Sequence, residues 1–174
     1  MRDCKHSFLG RWAHFLLTAC AVCCSARLTA QTEPAAGMLR FPDISQEKIV
    51  FCYAGDLWTV SKTGGTASPL ASPEGHEQSP RFSRDGKKIA FVGNYEGDSD
   101  IYEIDVSGGI ARRITFHPAT EELWDYGASE EVIYSTSGFA KLSRMQQLFS
   151  ISNDQALPTQ LPVPYGTNAA ISED

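Results

Sequence analysis

The histidines set the first limit on chemistry. Hydrolysis at a Ser-His-Asp site needs a nucleophile beside an imidazole and a pair of donors for the oxyanion, and the strained G-x-S-x-G turn that often presents such a serine is missing from the 174 residues. Beyond residue 30 only His76 and His117 remain, in Pro73-Glu74-Gly75-His76-Glu77 and Phe116-His117-Pro118. Both stand at equivalent junctions of the repeats described below, so they read as loop or packing residues, and no catalytic residue is assigned. Glu96, Asp98 and Asp100 place carboxylates at alternating positions, an arrangement a hard cation such as Ca²⁺ can use. The remaining ligands of a recognised loop are missing, so the segment reads as a solvated hairpin tip with Asp100 bonding backbone, and no metal site is assigned. Arg112-Arg113 has the chemistry to meet a peptide carboxylate; the expectation is that one is solvated and the other pairs with a neighbouring repeat. Glu121-Glu122 and Glu130-Glu131 read as exposed charge, and Cys52, in an apolar run, as an inert small hydrophobe. No cofactor-binding residue is assigned.

The elements that hold these residues begin behind an export signal. Residues 1–30 combine a basic start (Arg2, Lys5, Arg11) with an apolar stretch from Trp12 to Ala26 and a small residue, Ala30, before Gln31. That pattern reads as a secretory signal peptide, and the apolar stretch falls short of the roughly 20 residues that span a bilayer as a helix. Leu17-Thr18-Ala19-Cys20 is similar to a bacterial lipoprotein box, which would place a lipid on Cys20, but the apolar run continues past it. An exported protein, periplasmic or in the cell envelope, is the expectation. Cys4, Cys20, Cys23 and Cys24 lie inside the signal, leaving Cys52 alone, so the mature chain has no internal disulfide. The whole chain has a formal charge of −6, and without residues 1–30 it carries 11 basic against 20 acidic residues, net −9. Nucleic acid and anionic lipid are therefore excluded as expected partners.

Residues 31–37 read as a linker, and the body begins at Met38 with repeats. Arg40-Phe41-Pro42-Asp43 followed by Lys48-Ile49-Val50-Phe51 is matched by Arg81-Phe82-Ser83-Arg84 followed by Lys88-Ile89-Ala90-Phe91. Asp56-Leu57-Trp58-Thr59-Val60 is matched by Asp100-Ile101-Tyr102-Glu103-Ile104, and Gly64-Gly65 by Gly108-Gly109. A third copy holds Val132-Ile133-Tyr134 and Leu148-Phe149-Ser150-Ile151, with Asn153-Asp154-Gln155 in place of the glycine pair and Gly127-Ala128-Ser129 in place of Asp-Gly-Lys. Ile171-Ser172-Glu173-Asp174 resembles Phe82-Ser83-Arg84-Asp85, the opening of a fourth.

Within the second copy, strands are predicted at 79–83, 88–93, 100–105 and 111–115, separated by the turn formers Asp85-Gly86 and Ser107-Gly108-Gly109. Four strands in ~40–45 residues make a β-propeller blade. The fold class is thus all-β, an incomplete propeller of about three four-stranded antiparallel blades at approximately 38–72, 73–115 and 116–162, with a fourth starting at 163–174. The runs at 49–53 and 89–92 are continuously apolar, so both faces of each blade must be covered. Phe51, Trp58, Phe91, Tyr102, Tyr134 and Phe149 recur at matching positions and are read as core between blades.

Phe41-Pro42-Asp43-Ile44, Ile49-Val50-Phe51, Gly55-Asp56-Leu57-Trp58 and Gly64-Gly65 resemble the opening blade of tricorn-type proteases, and the second blade is similar. The Asp-Gly-Lys and Asp-Ile-Tyr elements are shared with TolB-like propellers at large, and Gly55 to Trp58 is the more discriminating part. The resemblance covers about residues 38–174. It implies a large serine peptidase whose propellers screen peptides on their way to a catalytic core and products on their way out. None of that core aligns here, so no catalytic residue is carried over. Its implied partners are peptides or proteins, the remaining blades and catalytic core, and further copies of the full-length protein. Two alternatives are a non-enzymatic TolB-like binding propeller of the cell envelope and the propeller of a prolyl-oligopeptidase-like enzyme.

Overall fold

The computed structural model describes residues 38–71, 74–140, 145–152 and 157–172. The chain divides into two units, Met1–Ala35 and Ala36–Asp174, and all described residues belong to the second. The expected signal and the whole of the expected linker, Asn153-Asp154-Gln155 and Glu173-Asp174 lie outside the described residues.

All regular structure among the described residues is strand, in three four-stranded antiparallel meanders. Blade 1 is β1 (Arg40–Ile44), β2 (Lys48–Tyr53), β3 (Asp56–Ser61) and β4 (Ser68–Ala71). Blade 2 is β5 (Glu77–Phe82), β6 (Lys88–Gly93), β7 (Asp100–Asp105) and β8 (Arg112–Arg113). Blade 3 is β9 (Glu121–Tyr126), β10 (Val132–Thr136), β11 (Gln147–Ile151) and β12 (Thr159–Gln160). The two central strands of blade 2 have the bounds their sequence predicts. The outer ones differ, with β5 starting two residues earlier and β8 reduced to the arginine pair.

The three blades share one register through their central strands. Phe51 pairs with Trp58, Phe91 with Tyr102, and Tyr134 with Phe149. In blades 2 and 3 these cross-strand aromatics stack, with ring centroids 5.9 and 5.8 Å apart. One interblade core joins Val50, Cys52 and Leu57 of blade 1 to Phe82, Ile89, Phe91, Tyr102 and Ile104 of blade 2. The next joins the equivalent Ala90, Val92 and Ile101 of blade 2 to Leu123, Tyr126, Val132, Tyr134, Phe149 and Ile151 of blade 3. Both faces of β6 are covered, as its unbroken apolar run requires: Ile89, Ala90 and Phe91 are each 0 % exposed.

The first strands correct the repeat alignment. Ile44 pairs with Ile49, Phe82 with Ile89 and Tyr126 with Val132, so Ile44 and not Phe41 is the equivalent of Phe82. Similarity of Phe41 to Phe82 misleads because the connecting turns differ in length, with four residues between Ile44 and Ile49 and six between Phe82 and Ile89. In the true register Phe41-Pro42 and Ser79-Pro80 occupy the same β-bulge, where Phe41 (φ 51°) and Ser79 (φ 53°) share a left-handed backbone. The hairpin of blade 3 closes without Asp-Gly-Lys: Glu130 (φ 61°) takes the left-handed position, and its N–H donates to Gly127 O as that of Gly86 does to Ser83 O.

Candidate functional site

The blade junctions gather most of the residues whose chemistry the sequence raised. His76 lies against Gly55 in the β2–β3 turn of blade 1, so close that a Cβ on Gly55 would stand 2.6 Å from His76 Nδ1. With φ at +99°, Gly55 is doubly required, which gives the Gly55 to Trp58 element its physical basis. His117 packs instead on Gly138 and meets the Phe139 ring at a tilt of 50° with centroids 4.6 Å apart, and its Nδ1 accepts from Ala119 N. Both histidines thus pack at junctions, but in different registers, one directly before a buried glutamate and the other four residues before its counterpart. Cys52 is buried, and desolvation, with Glu77 nearby, pushes its thiol up to about 12.

The acidic segment departs from a solvated tip. Glu96 and Asp98 are exposed, whereas Asp100 is 0 % exposed and pairs with Arg113, Nη2 to Oδ2 at 2.7 Å. Arg113 also reaches Glu96 at 2.5 Å, donates to Thr115 O and lies over the Phe116 ring. Arg112 meets Glu103 at 3.5 Å. Both arginines thus meet carboxylates of their own blade, and Arg113 also faces Glu121 of blade 3. Arg81 also crosses between blades, its Nε donating to Trp124 O at 2.8 Å, as does Lys48, whose Nζ donates to Val106 O at 3.2 Å.

Of the acidic pairs, Glu122 accepts from Gln146 Nε2, Glu131 from Ser129 N, and Glu130 from the backbone N–H groups of Arg84 and Asp85 in blade 2. Glu121 is not exposed charge: it is 2 % exposed, and so is its equivalent Glu77 at 3 %. Each opens the first strand of its blade and caps the third strand of the blade before it. Glu77 accepts from Leu57 N at 3.1 Å and from the Tyr95 hydroxyl at 2.8 Å. Glu121 does so through an intermediary. The Ile101 N–H donates to Thr115 Oγ1 at 2.8 Å, and the Thr115 hydroxyl donates to Glu121 Oε2. Burial raises both carboxyls above their ordinary range, Glu121 to about 7. A signal for this pair exists in the sequence: Glu77 and Glu121 are 44 apart, the same spacing as Leu57 and Ile101.

A second device joins the innermost strands. Asp43, Arg81 and Asp125 hold one position in three blades. Asp43 Oδ2 accepts from Phe82 N at 2.7 Å, and Asp125 Oδ2 from Ile171 N at 3.2 Å. Gly166 N donates to Gln146 O as Glu77 N donates to Gly55 O. Gly166 and Ile171 are five apart, as are Glu77 and Phe82.

At the end carrying the β1–β2 and β3–β4 turns and their equivalents, a cleft of about 710 Å³ opens between the Ser45–Lys48 and Ser83–Lys87 turns and extends to Lys62, Val106, Asp125 and Ile171. Of its carboxylates, Asp43 and Asp125 bridge blades, and Asp85 is lowered to about 2 by the Lys87 backbone and ammonium and the Ser83 hydroxyl of its own turn. Lys48, Lys62, Arg84 and Lys87 complete a lining of mixed charge, suited to a polar chain more than to an apolar ligand.

Comparison with known proteins gives this architecture its place. Residues 36–174 match the family model for the tricorn protease N-terminal beta propeller domain. Tricorn protease homolog 1 of Streptomyces coelicolor is 34 % identical over 85 residues, 48 % of this chain and 8 % of that protein. The tricorn protease of Thermoplasma volcanium is 26 % identical over 132 residues, 70 % of this chain and 13 % of that protein. This chain thus spans only about a tenth of these relatives' length. A crystal structure of the tricorn protease superposes with a TM-score of 0.60 at 26 % identity, covering 67 % of this chain and 12 % of that one. TolB from Acinetobacter baumannii, at a TM-score of 0.63 and 19 % identity over 72 % of this chain and 32 % of its own, shares the fold. With the family model matched over residues 36–174, the chain belongs to the family of tricorn protease N-terminal β-propeller domains.

Proposed function

We propose that this chain supplies the opening blades of the propeller in an exported, periplasmic or envelope-located, tricorn-like serine peptidase, where they gate peptides toward a catalytic core and products away from it. The family match over residues 36–174 carries this reading, and the mixed-charge cleft at the blade ends supports it. On this reading residues 1–30 direct export, 31–37 link, and the blades fall at 38–72, 73–115 and 116–162. Residues 163–174 open a fourth, an assignment supported by the inner-strand spacing of Gly166 and Ile171. The chain acts through its contacts with peptides, with the remaining blades and with the core that performs the chemistry.

The test is to translate the genomic frame past the codon for Asp174 and assay the resulting protein for peptide hydrolysis. Further blades followed by a PDZ-like module and an active serine peptidase core support the proposal. A frame encoding propeller alone returns the chain to the TolB-like binding proteins, and an α/β-hydrolase domain with G-x-S-x-G to the prolyl-oligopeptidase-like enzymes. In the active protein, Ser45→Trp, which narrows the cleft, lowers kcat/KM for long peptides and spares short reporter substrates. Equal effects on both would refute a gating role.

A further inference from the structure

The junction between blades 2 and 3 encloses more negative than positive charge. Asp100 is 0 % exposed and Glu121 2 %, and both face the Arg113 guanidinium, which also serves the exposed Glu96. Around Glu121 the facing groups are Asp100 and the Ile101 N–H from β7, Arg113 and Thr115 from β8 and the segment after it, and Tyr134 from β10. Tyr102 faces Asp100 and Arg113 from the other side. Among the described residues Glu121 Oε1 is buried without a hydrogen-bond partner, while Oε2 takes the Thr115 hydroxyl that in turn holds Ile101 N. Two buried carboxyls against one shared cation leave an uncompensated charge whenever both are ionised, and burying an unpaired charge is far costlier than burying a neutral acid. Blade 1 to blade 2 is built differently. Glu77, at the same position, is met by two donors, Leu57 N and Tyr95 OH, so its ionised form is hydrogen-bonded on both oxygens.

We propose that the junction of blades 2 and 3 is a proton-sensitive latch, closed when Glu121 holds a proton and loosened when Glu121 ionises beside Asp100. The physical sequence is short. Ionisation places a second negative charge in a site that Arg113 already shares between Asp100 and Glu96. Repulsion then acts on β9 at its first residue, the point where it ties through Thr115 to the start of β7. The sign follows from linkage: an acid easier to protonate in the closed than in the open junction favours closure at low pH. That advantage is lost as pH rises from the usual carboxylate range to the raised one near 7. The latch is independent of whether a peptidase core is attached.

Hydrogen exchange on the full chain tests it, read at the Ile101 and Thr115 amides after correction for intrinsic exchange. In the wild-type chain, protection of Ile101 falls roughly 10- to 100-fold between about pH 5 and about pH 8. In Glu121→Gln, which keeps shape and removes the titrating proton, protection is flat over the same interval. In Asp100→Asn, Arg113 is freed for Glu121 and the like charge is gone, so the midpoint moves down toward the usual carboxylate range. Flat protection in the wild-type chain, or an undiminished fall in Glu121→Gln, overturns the latch. Should Glu121→Gln fail to fold, an unmoved midpoint in Asp100→Asn overturns it equally.

Discussion

Replacing Glu77 by alanine removes the acceptor of two donors at once. The Leu57 amide is buried beneath the interblade core and has its capping oxygen from Glu77, and the Tyr95 hydroxyl has the other. A buried donor left unmet costs about 1–3 kcal/mol, and the half-buried tyrosine adds about 1 more, so Glu77→Ala destabilises by roughly 2–4 kcal/mol. Glu77→Gln differs: its oxygen still accepts from Leu57 N, and its amide donates to a Tyr95 hydroxyl that rotates to accept. Its cost stays near ~1 kcal/mol, the loss of charge assistance. Urea unfolding of the full chain, followed by tryptophan fluorescence and circular dichroism together, measures both and checks that the transition is two-state. Tyr95→Phe closes a double-mutant cycle, because in the Glu77→Ala background the hydroxyl has nothing left to lose. A coupling of about 1 kcal/mol or more is expected. Additive effects, or a Gln variant as damaged as the Ala variant, would refute the claim that Glu77 is an interblade cap.

Phe91, 0 % exposed and packed against Tyr95 and Tyr102, loses about 3–5 kcal/mol on replacement by alanine, while Ile110→Ala at a 98 % exposed position changes stability by less than ~0.5 kcal/mol; thermal melts distinguish them. Cys52, with its thiol pushed up to about 12, resists iodoacetamide at mildly alkaline pH until denaturant is added, which mass mapping of its peptide reads directly. Met38, Leu39, Phe41 and Ile44 expose apolar surface on the first strand and the residues before it, so the full chain self-associates in sedimentation, and Ile44→Glu shifts it toward monomer.

The centre of each blade was legible because packing and hydrogen bonding there repeat the same instruction. The unbroken apolar run Ile89–Val92 and the Asp-Ile-Tyr start of Asp100–Asp105 specify β6 and β7 without help from distant residues. The first strands were harder to read. Their register depends on turn length, and a shared Phe-Pro or Phe-Ser has less authority than the turn that takes up the extra residues. Charge misled for a different reason. Asp100, Glu77 and Glu121 are surface residues by type, and their burial follows from partners in another strand or another blade: Arg113, Leu57 N, Thr115. Arg112-Arg113 likewise gave no sign of which carboxylate it meets, because Glu103 and Asp100 become neighbours only when β7 and β8 pair.

At the inner position of the blades the bridging groups change kind. Asp43 and Asp125 accept from the next backbone, whereas Arg81 donates to it. A joint that works with either polarity places no demand on its neighbour beyond a free amide or a free carbonyl, and any extended strand offers both. Blades joined this way are interchangeable parts. A duplicated or reordered blade has only one side chain to supply at this joint, while the apolar faces and the glutamate caps still have to match. The three blades keep a common register in their central strands while the group at this joint differs from one to the next.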